Sequence, residues 1–156
     1  MNSRNLDNLK EMGKIKKEEF NADFIIGRCE LASKRIENAK LLLKNNNYDE
    51  SVFISAYSEL YSSFRILCEV MLAMCGYRAE KGSGHHGLII STIWLTLEDE
   101  EMNPVYSRLK KIGGKRNEME YGGNFDISTI EIKTMLEDVE LVLKKVRSEI
   151  KIKKSA

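Results

Sequence analysis

The sequence predicts an all-α, up-and-down helical bundle of four main helices plus a short extra helix, and three observations carry that expectation. Apolar residues recur in alternating steps of four and three over long stretches, as one buried helix face requires. A single proline, Pro104, and modest aromatic content argue against a sandwich or barrel, which needs many turns. The periodic stretches are joined by short polar turns, which makes consecutive helices antiparallel neighbours.

Taken in order, residues 5–19 carry Leu6, Leu9, Met12 and Ile15 among charges. They read as a short, loosely packed helix in an N-terminal segment (residues 1–22) that precedes one bundle domain (residues 23–156). From Asp23 the stripe Ile25, Cys29, Ala32, Ile36, Ala39 and Leu43 predicts an amphipathic helix that stops at Asn45-Asn46-Asn47, where turn propensity is high. The next helix starts near Asp49 and runs to Cys75, with Gly76 as its stop. It has one stripe through Phe53, Ala56, Leu60, Phe64, Leu67, Met71 and Met74, and a second through Tyr57, Tyr61 and Arg65. Two occupied stripes predict a central helix with neighbours on more than one side.

After the glycine-rich residues 76–84, Ser83 is a candidate cap for a helix through Leu88, Ile89, Ile90, Ile93, Trp94 and Leu97. A turn at Glu98–Glu101 follows, then Asn103 as N-cap with Pro104 at the first helical position. That helix carries Val105, Leu109, Ile112, Arg116 and Met119. Its Gly113-Gly114 pair costs about 1 kcal/mol per glycine, which predicts a kink or the close approach of another backbone. Gly122-Gly123 ends it. Ser128-Thr129-Ile130-Glu131 is a capping-box sequence, and the last helix presents Ile132, Met135, Val139, Val142, Val146 and Ile150.

Composition narrows the function classes. A net charge of +1 excludes a uniformly basic nucleic-acid binder but not a local basic patch. No apolar run approaches the length of a membrane span, and no apolar segment follows the basic N-terminus, so no membrane partner is expected and the chain reads as cytoplasmic. Cys29, Cys68 and Cys75 sit among apolar residues and read as reduced, buried thiols. With His85 or His86 they lack a familiar zinc spacing, so neither metal nor cofactor is expected.

The functional lead is Lys115 to Gly123, KRNEMEYGG, which gathers a cation, an amide and a phenol before a Gly-Gly break. Arg116 falls in phase with the apolar stripe. A pair with a glutamate, Glu120 one turn on for example, is one reading of that position. A phosphate-binding arginine is the other, since its planar donors match phosphate oxygens. Arg108, Lys110, Lys111, Lys115 and Arg116 form a run with no acid among them, which reads as a solvated face or as an RNA-backbone contact. His85 and His86, the only histidines, read as capping residues or as bases that would reach Arg116 across a dimer.

The stretch Glu30 to Arg78, ELASKRIENAKLLLKNNNYDESVFISAYSELYSSFRILCEVMLAMCGYR, then GSGHHGLI, the Arg116 helix and the long terminal helix resemble the HEPN superfamily (higher eukaryotes and prokaryotes nucleotide-binding domains). The likeness covers roughly residues 24–152, with Ala56-Tyr57 and Arg116-Asn117 as its most specific points. It implies a homodimeric helical bundle, often one half of a toxin–antitoxin or defence module whose other half is a nucleotidyltransferase-type antitoxin. In active members an Arg, a polar residue and, further on, a His form a metal-independent ribonuclease site. Here Arg116 and Asn117 match the first two positions and Tyr121 stands where the His belongs.

Tyr121 changes the chemistry expected. Metal-free RNA cleavage needs a base for the 2′-hydroxyl and an acid for the leaving oxygen near neutral pH. A phenol with a pKa near 10 is ionised only about one part in a thousand at pH 7. Two expectations follow. One is a metal-independent endoribonuclease in which Arg116 stabilises charge, Asn117 orients, Tyr121 or a histidine (His85 or His86) handles protons, and Arg108, Lys111 and Lys115 hold RNA or nucleotide. The other is a non-catalytic homodimeric interaction or adaptor module.

Overall fold

The structure is a computed structural model that describes residues 3–44, 49–82, 85–116 and 126–155. The expected turn at Asn45-Asn46-Asn47, the Ser83 cap, and the stretch with Asn117, Met119, Tyr121 and Gly122-Gly123 lie outside the described residues, as does the side chain of His85. The described elements are α1 (Ser3–Glu11), β1 (Ile15–Lys17), α2 (Ala22–Lys44), α3 (Glu50–Met74), β2 (Tyr77–Ala79), α4 (His85–Ser91), α5 (Ile93–Thr96), α6 (Asn103–Gly113) and α7 (Thr129–Ser155). The molecule is an all-α bundle carrying one two-stranded sheet.

Side-chain pairs fix the helix directions. Arg28 meets Glu69 and Arg35 meets Glu59, so α2 and α3 run antiparallel. Arg147 bonds Ser33 while Lys40 pairs with Glu140, which sets α7 antiparallel to α2. Arg108 meets Asp138 and Lys115 meets Glu131, so α6 opposes α7. The four main helices therefore alternate in direction along the chain, as their short connections require.

α3 is the central rod, packed on α2, α7, α4, α5 and β2. Both of its predicted stripes are buried, apart from Met74 and Arg65, which are partly exposed. Small residues let α2 come close: Ser63 on α3 donates to the Ala32 carbonyl of α2 at 2.8 Å, so neither buried polar group is left unsatisfied. The helix ends follow local chemistry. Asp49 caps α3 by accepting from Val52 N at 2.9 Å, and Gly76, at φ 83°, closes it in the left-handed region that a side chain disfavours. Ser128 and Glu131 make the reciprocal capping-box bonds that open α7, both at 3.1 Å.

Several expectations are corrected. The N-terminal segment is not loosely packed: Leu6 is 0% exposed and Ile15 lies in β1 rather than in a helix. β1 pairs antiparallel with β2, Ile15 opposite Ala79 and Lys17 opposite Tyr77, and Tyr77 Oη donates to Asp7 at 2.7 Å. The helix expected to run to Leu97 breaks at Thr92, whose hydroxyl bonds back to the Ile89 carbonyl at 2.6 Å and competes with helix continuation. Asn103 is not an N-cap. Asp99 instead caps a 3₁₀ turn, Glu100–Met102, through Glu101 N at 3.0 Å, and that turn runs straight into α6. α6 itself ends at Gly113, and a turn at Gly114 and Lys115 separates it from Arg116. Cys29 and Cys68 are buried as expected, while Cys75 is half-buried; burial pushes all three thiols above their ordinary pKa.

Candidate functional site

The site is built around the end of α6. The Tyr57 hydroxyl on α3 donates to the Ile112 carbonyl at 2.7 Å, with the Gly113 carbonyl 3.3 Å away. The Lys115 N–H also donates to the Ile112 carbonyl at 3.1 Å, so the Tyr57 hydroxyl adds a second bond that ties the helix terminus to α3. One turn further along α3, the Tyr61 ring lies against Gly113: a Cβ there would sit 3.1 Å from Tyr61 Cε2. What approaches Gly113 is a side chain and not the other backbone expected, and α6 ends rather than kinks. The helix stops there, and an aromatic ring occupies the space a side chain would take.

The turn after Gly113 carries Arg116 over Tyr61, its guanidinium carbon 5.2 Å from the ring centroid, a cation–π distance. Arg116 Nη1 lies 2.9 Å from Nδ1 of His86, in the first turn of α4. A guanidinium only donates, so Nδ1 accepts, the imidazole is neutral in this contact, and its proton sits on Nε2. His86 also tilts against Tyr61, with ring centroids 6.3 Å apart, and Tyr61 stacks on Tyr57 at 6.2 Å. The histidine expected to reach Arg116 only across a dimer therefore reaches it within one chain, from 30 residues away.

Electrostatics keep Tyr61 a phenol. Burial raises its pKa, while Arg116 and Arg65 pull in the opposite direction. Beneath it, Glu69 accepts from Arg65 and from Arg28, both at 2.7 Å, so one carboxylate serves two guanidiniums. Tyr61 and Arg65 were legible as an α3 stripe, but the stripe alone identified a packing face and not a platform for Arg116.

The remaining predicted cations lie elsewhere. Arg108 makes a two-point bond to Asp138, Nε and Nη2 each at 2.9 Å, and the Asp138 side chain is 5% exposed. Lys115 Nζ donates to the Asp126 carbonyl at 2.8 Å and to Glu131 at 3.2 Å. These two and Lys111 line a cleft of about 190 Å³ between α6 and α7, with Glu131 and Asp138 among its walls. Lys110 sits 5.6 Å from the Trp94 ring. The acid-free run in the sequence is thus divided: Arg116 faces α3 and α4, while Arg108 and Lys115 face the carboxylates of α7.

The Arg116 cluster offers a cation with planar donors, a neutral imidazole presenting Nε2–H, and a phenol ring beneath them. That set can bind a phosphate oxygen and supply or take a proton. Among the described residues, no group of histidine, cysteine and carboxylate side chains is arranged to hold a metal ion, and no helix is long and apolar enough to cross a membrane. No protein-family model matches the chain, and no curated protein matches it.

Proposed function

We propose that the chain is a HEPN-like cytoplasmic bundle that binds RNA or nucleotide phosphate at Arg116 and cleaves RNA without metal, with His86 handling protons. The observation that supports this reading is the 2.9 Å contact between Arg116 Nη1 and His86 Nδ1 above the Tyr61 ring. It gives the cluster an imidazole where the motif position, Tyr121, has only a phenol. In the reaction the 2′-oxygen bonds to phosphorus while the bond to the 5′-oxygen breaks, leaving a 2′,3′-cyclic phosphate and a 5′-hydroxyl. One proton leaves the 2′-hydroxyl and one joins the 5′-oxygen. Arg116 stabilises the charge on the phosphorane oxygens. An oxygen that takes the Nη1 donor from Nδ1 releases that lone pair as a base, while Nε2–H remains a donor. Asn117 orients the phosphate, and Tyr121 contributes a hydrogen bond. In this reading the protein is a homodimer and one half of a toxin–antitoxin or defence pair with a nucleotidyltransferase-type partner.

A second reading has its own support. Arg108 and Lys115 are committed to Asp138 and Glu131, which removes two cations from any RNA backbone contact and suits a non-catalytic homodimeric adaptor. One experiment separates the two: RNA is incubated in chelator with wild type, Arg116→Ala and His86→Gln. Cleavage by wild type alone supports the nuclease. Cleavage that survives Arg116→Ala sinks this site. RNA neither bound nor cut by any of the three leaves the adaptor.

A further inference from the structure

A second cavity lies away from Arg116, between the start of α2, the last turns of α3, β2 and α4, with a volume of about 300 Å³. That is the lower end of the range for small-molecule sites. Its walls are mostly apolar: Phe20, Phe24, Ile25, Val70, Tyr77 and Ile89. Phe20 and Phe24 stack at 4.8 Å between centroids, and Phe24 is 45% exposed although it adjoins this apolar space. Asn21 accepts from Phe24 N at 2.8 Å, which caps α2 and holds the ring pair in place.

The charge on the walls is unbalanced. Arg78 is matched by Glu18 at 2.9 Å. Arg28 shares Glu69 with Arg65, so two guanidiniums face one carboxylate, and both carboxylate oxygens are already engaged. Lys81, also on the wall, pairs with no acid among the described residues. The cavity thus joins an apolar body to an excess of cationic donors.

We propose that this cavity binds a small monocarboxylate with an apolar body, the carboxylate held by Arg28 and Lys81 and the body against Phe24, Val70 and Ile89. Charge complementarity argues for an acid over a neutral ligand of the same shape, and a volume of about 300 Å³ suits a body the size of an aryl or medium-chain alkyl group. A guanidinium and an ammonium beside one anion supply charge-assisted bonds, which are stronger than neutral ones. This site is independent of the phosphate chemistry at Arg116, and either assignment stands without the other.

The test is calorimetric titration of the full chain with octanoate and with 3-phenylpropanoate, each against its alcohol, below any micellar concentration. At least one acid binds about tenfold or more tightly than its alcohol, the difference expected of a charge-assisted bond. Arg28→Gln removes most of that difference, and Phe24→Ser, a change at a half-exposed ring, weakens both members of the pair. Melting curves identify variants that remain folded. Equal affinity of each acid and its alcohol, binding by neither acid, or binding unchanged in a folded Arg28→Gln and a folded Phe24→Ser overturns the proposal.

Discussion

Arg108 and Arg116 leave the same stretch of chain, eight residues apart, and meet opposite surroundings. Arg108 finds a carboxylate buried on α7 and makes a two-point ion pair with it. Arg116, past the glycine break, meets a neutral imidazole and a phenol ring. The first arrangement cancels charge, which suits a structural clamp. The second sets a guanidinium beside polarisable and proton-bearing groups, which suits contact with an anion that comes and goes. A run of cations in sequence is therefore no surface patch in itself; the partner on the opposing helix decides what each cation does.

The widest separation between the two arginines is expected in binding. Arg116→Ala should weaken a short single-stranded RNA on the order of tenfold or more, the loss of a charge-assisted phosphate contact. Arg108→Ala should change the same affinity by less than about twofold; fluorescence anisotropy at fixed salt reads both. Comparable losses would erase the contrast and restore a single basic face. In stability the order reverses. Removing Arg108 strands Asp138 inside, a loss of about 2 kcal/mol once the half-exposed arginine is discounted for solvent, whereas Arg116→Ala should cost well under that in urea melts.

Tyr57→Phe probes what carries Arg116 to its place. Losing the hydroxyl removes one of two bonds to the Ile112 carbonyl, which keeps the Lys115 N–H at 3.1 Å, and should cost about 1 kcal/mol, with weaker RNA binding as the end of α6 loosens. Stability lost with binding unchanged would separate the helix terminus from the site. The smallest effect belongs to the α7 cap on the Arg108 side. The Ser128 backbone N–H, with Lys115 adding to it, holds the Glu131 carboxyl below its ordinary value of 4.5. Because the folded value is the lower one, this stabilisation is complete above about pH 4.5 and fades as pH falls through the folded pKa. Glu131 is well exposed, so screening reduces the contribution to a few tenths of a kcal/mol. Wild type minus Glu131→Gln, followed by thermal melts from pH 7 to pH 3, should shrink over that window. A difference that is flat with pH would remove Glu131 from the cap.

The helices were legible where burial is periodic. α2, α3 and α7 bury one face across many turns, so the stripes at Ile25–Leu43, Phe53–Met71 and Ile132–Val146 announce them, and local capping chemistry at Asp49, Gly76 and Ser128 marks their ends. β1 and β2 were not legible, because three residues carry too little alternation and their pairing depends on a partner far along the chain. The Thr92 break depends on where one hydroxyl turns, which no spacing encodes. At the site, Arg116 stood out as a charge on an apolar stripe and Gly113-Gly114 as an irregularity in its helix, though the Tyr61 side chain beside it was not foreseen. That His86 is what Arg116 meets is a long-range fact, set by how α4 docks on α3. The Asn117 and Tyr121 half of the motif lies outside the described residues.

The pairing of Ile15 with Ala79 has a consequence in time as well as in space. The earlier strand waits for its partner through the whole α2–α3 hairpin, about 60 residues of chain, while that hairpin closes on local contacts alone. The hairpin is thus expected to form first and the two-stranded clasp last. Until the clasp closes, Leu6 and Ile15 remain unburied, and the newly made chain offers chaperones an apolar handle that the finished protein hides.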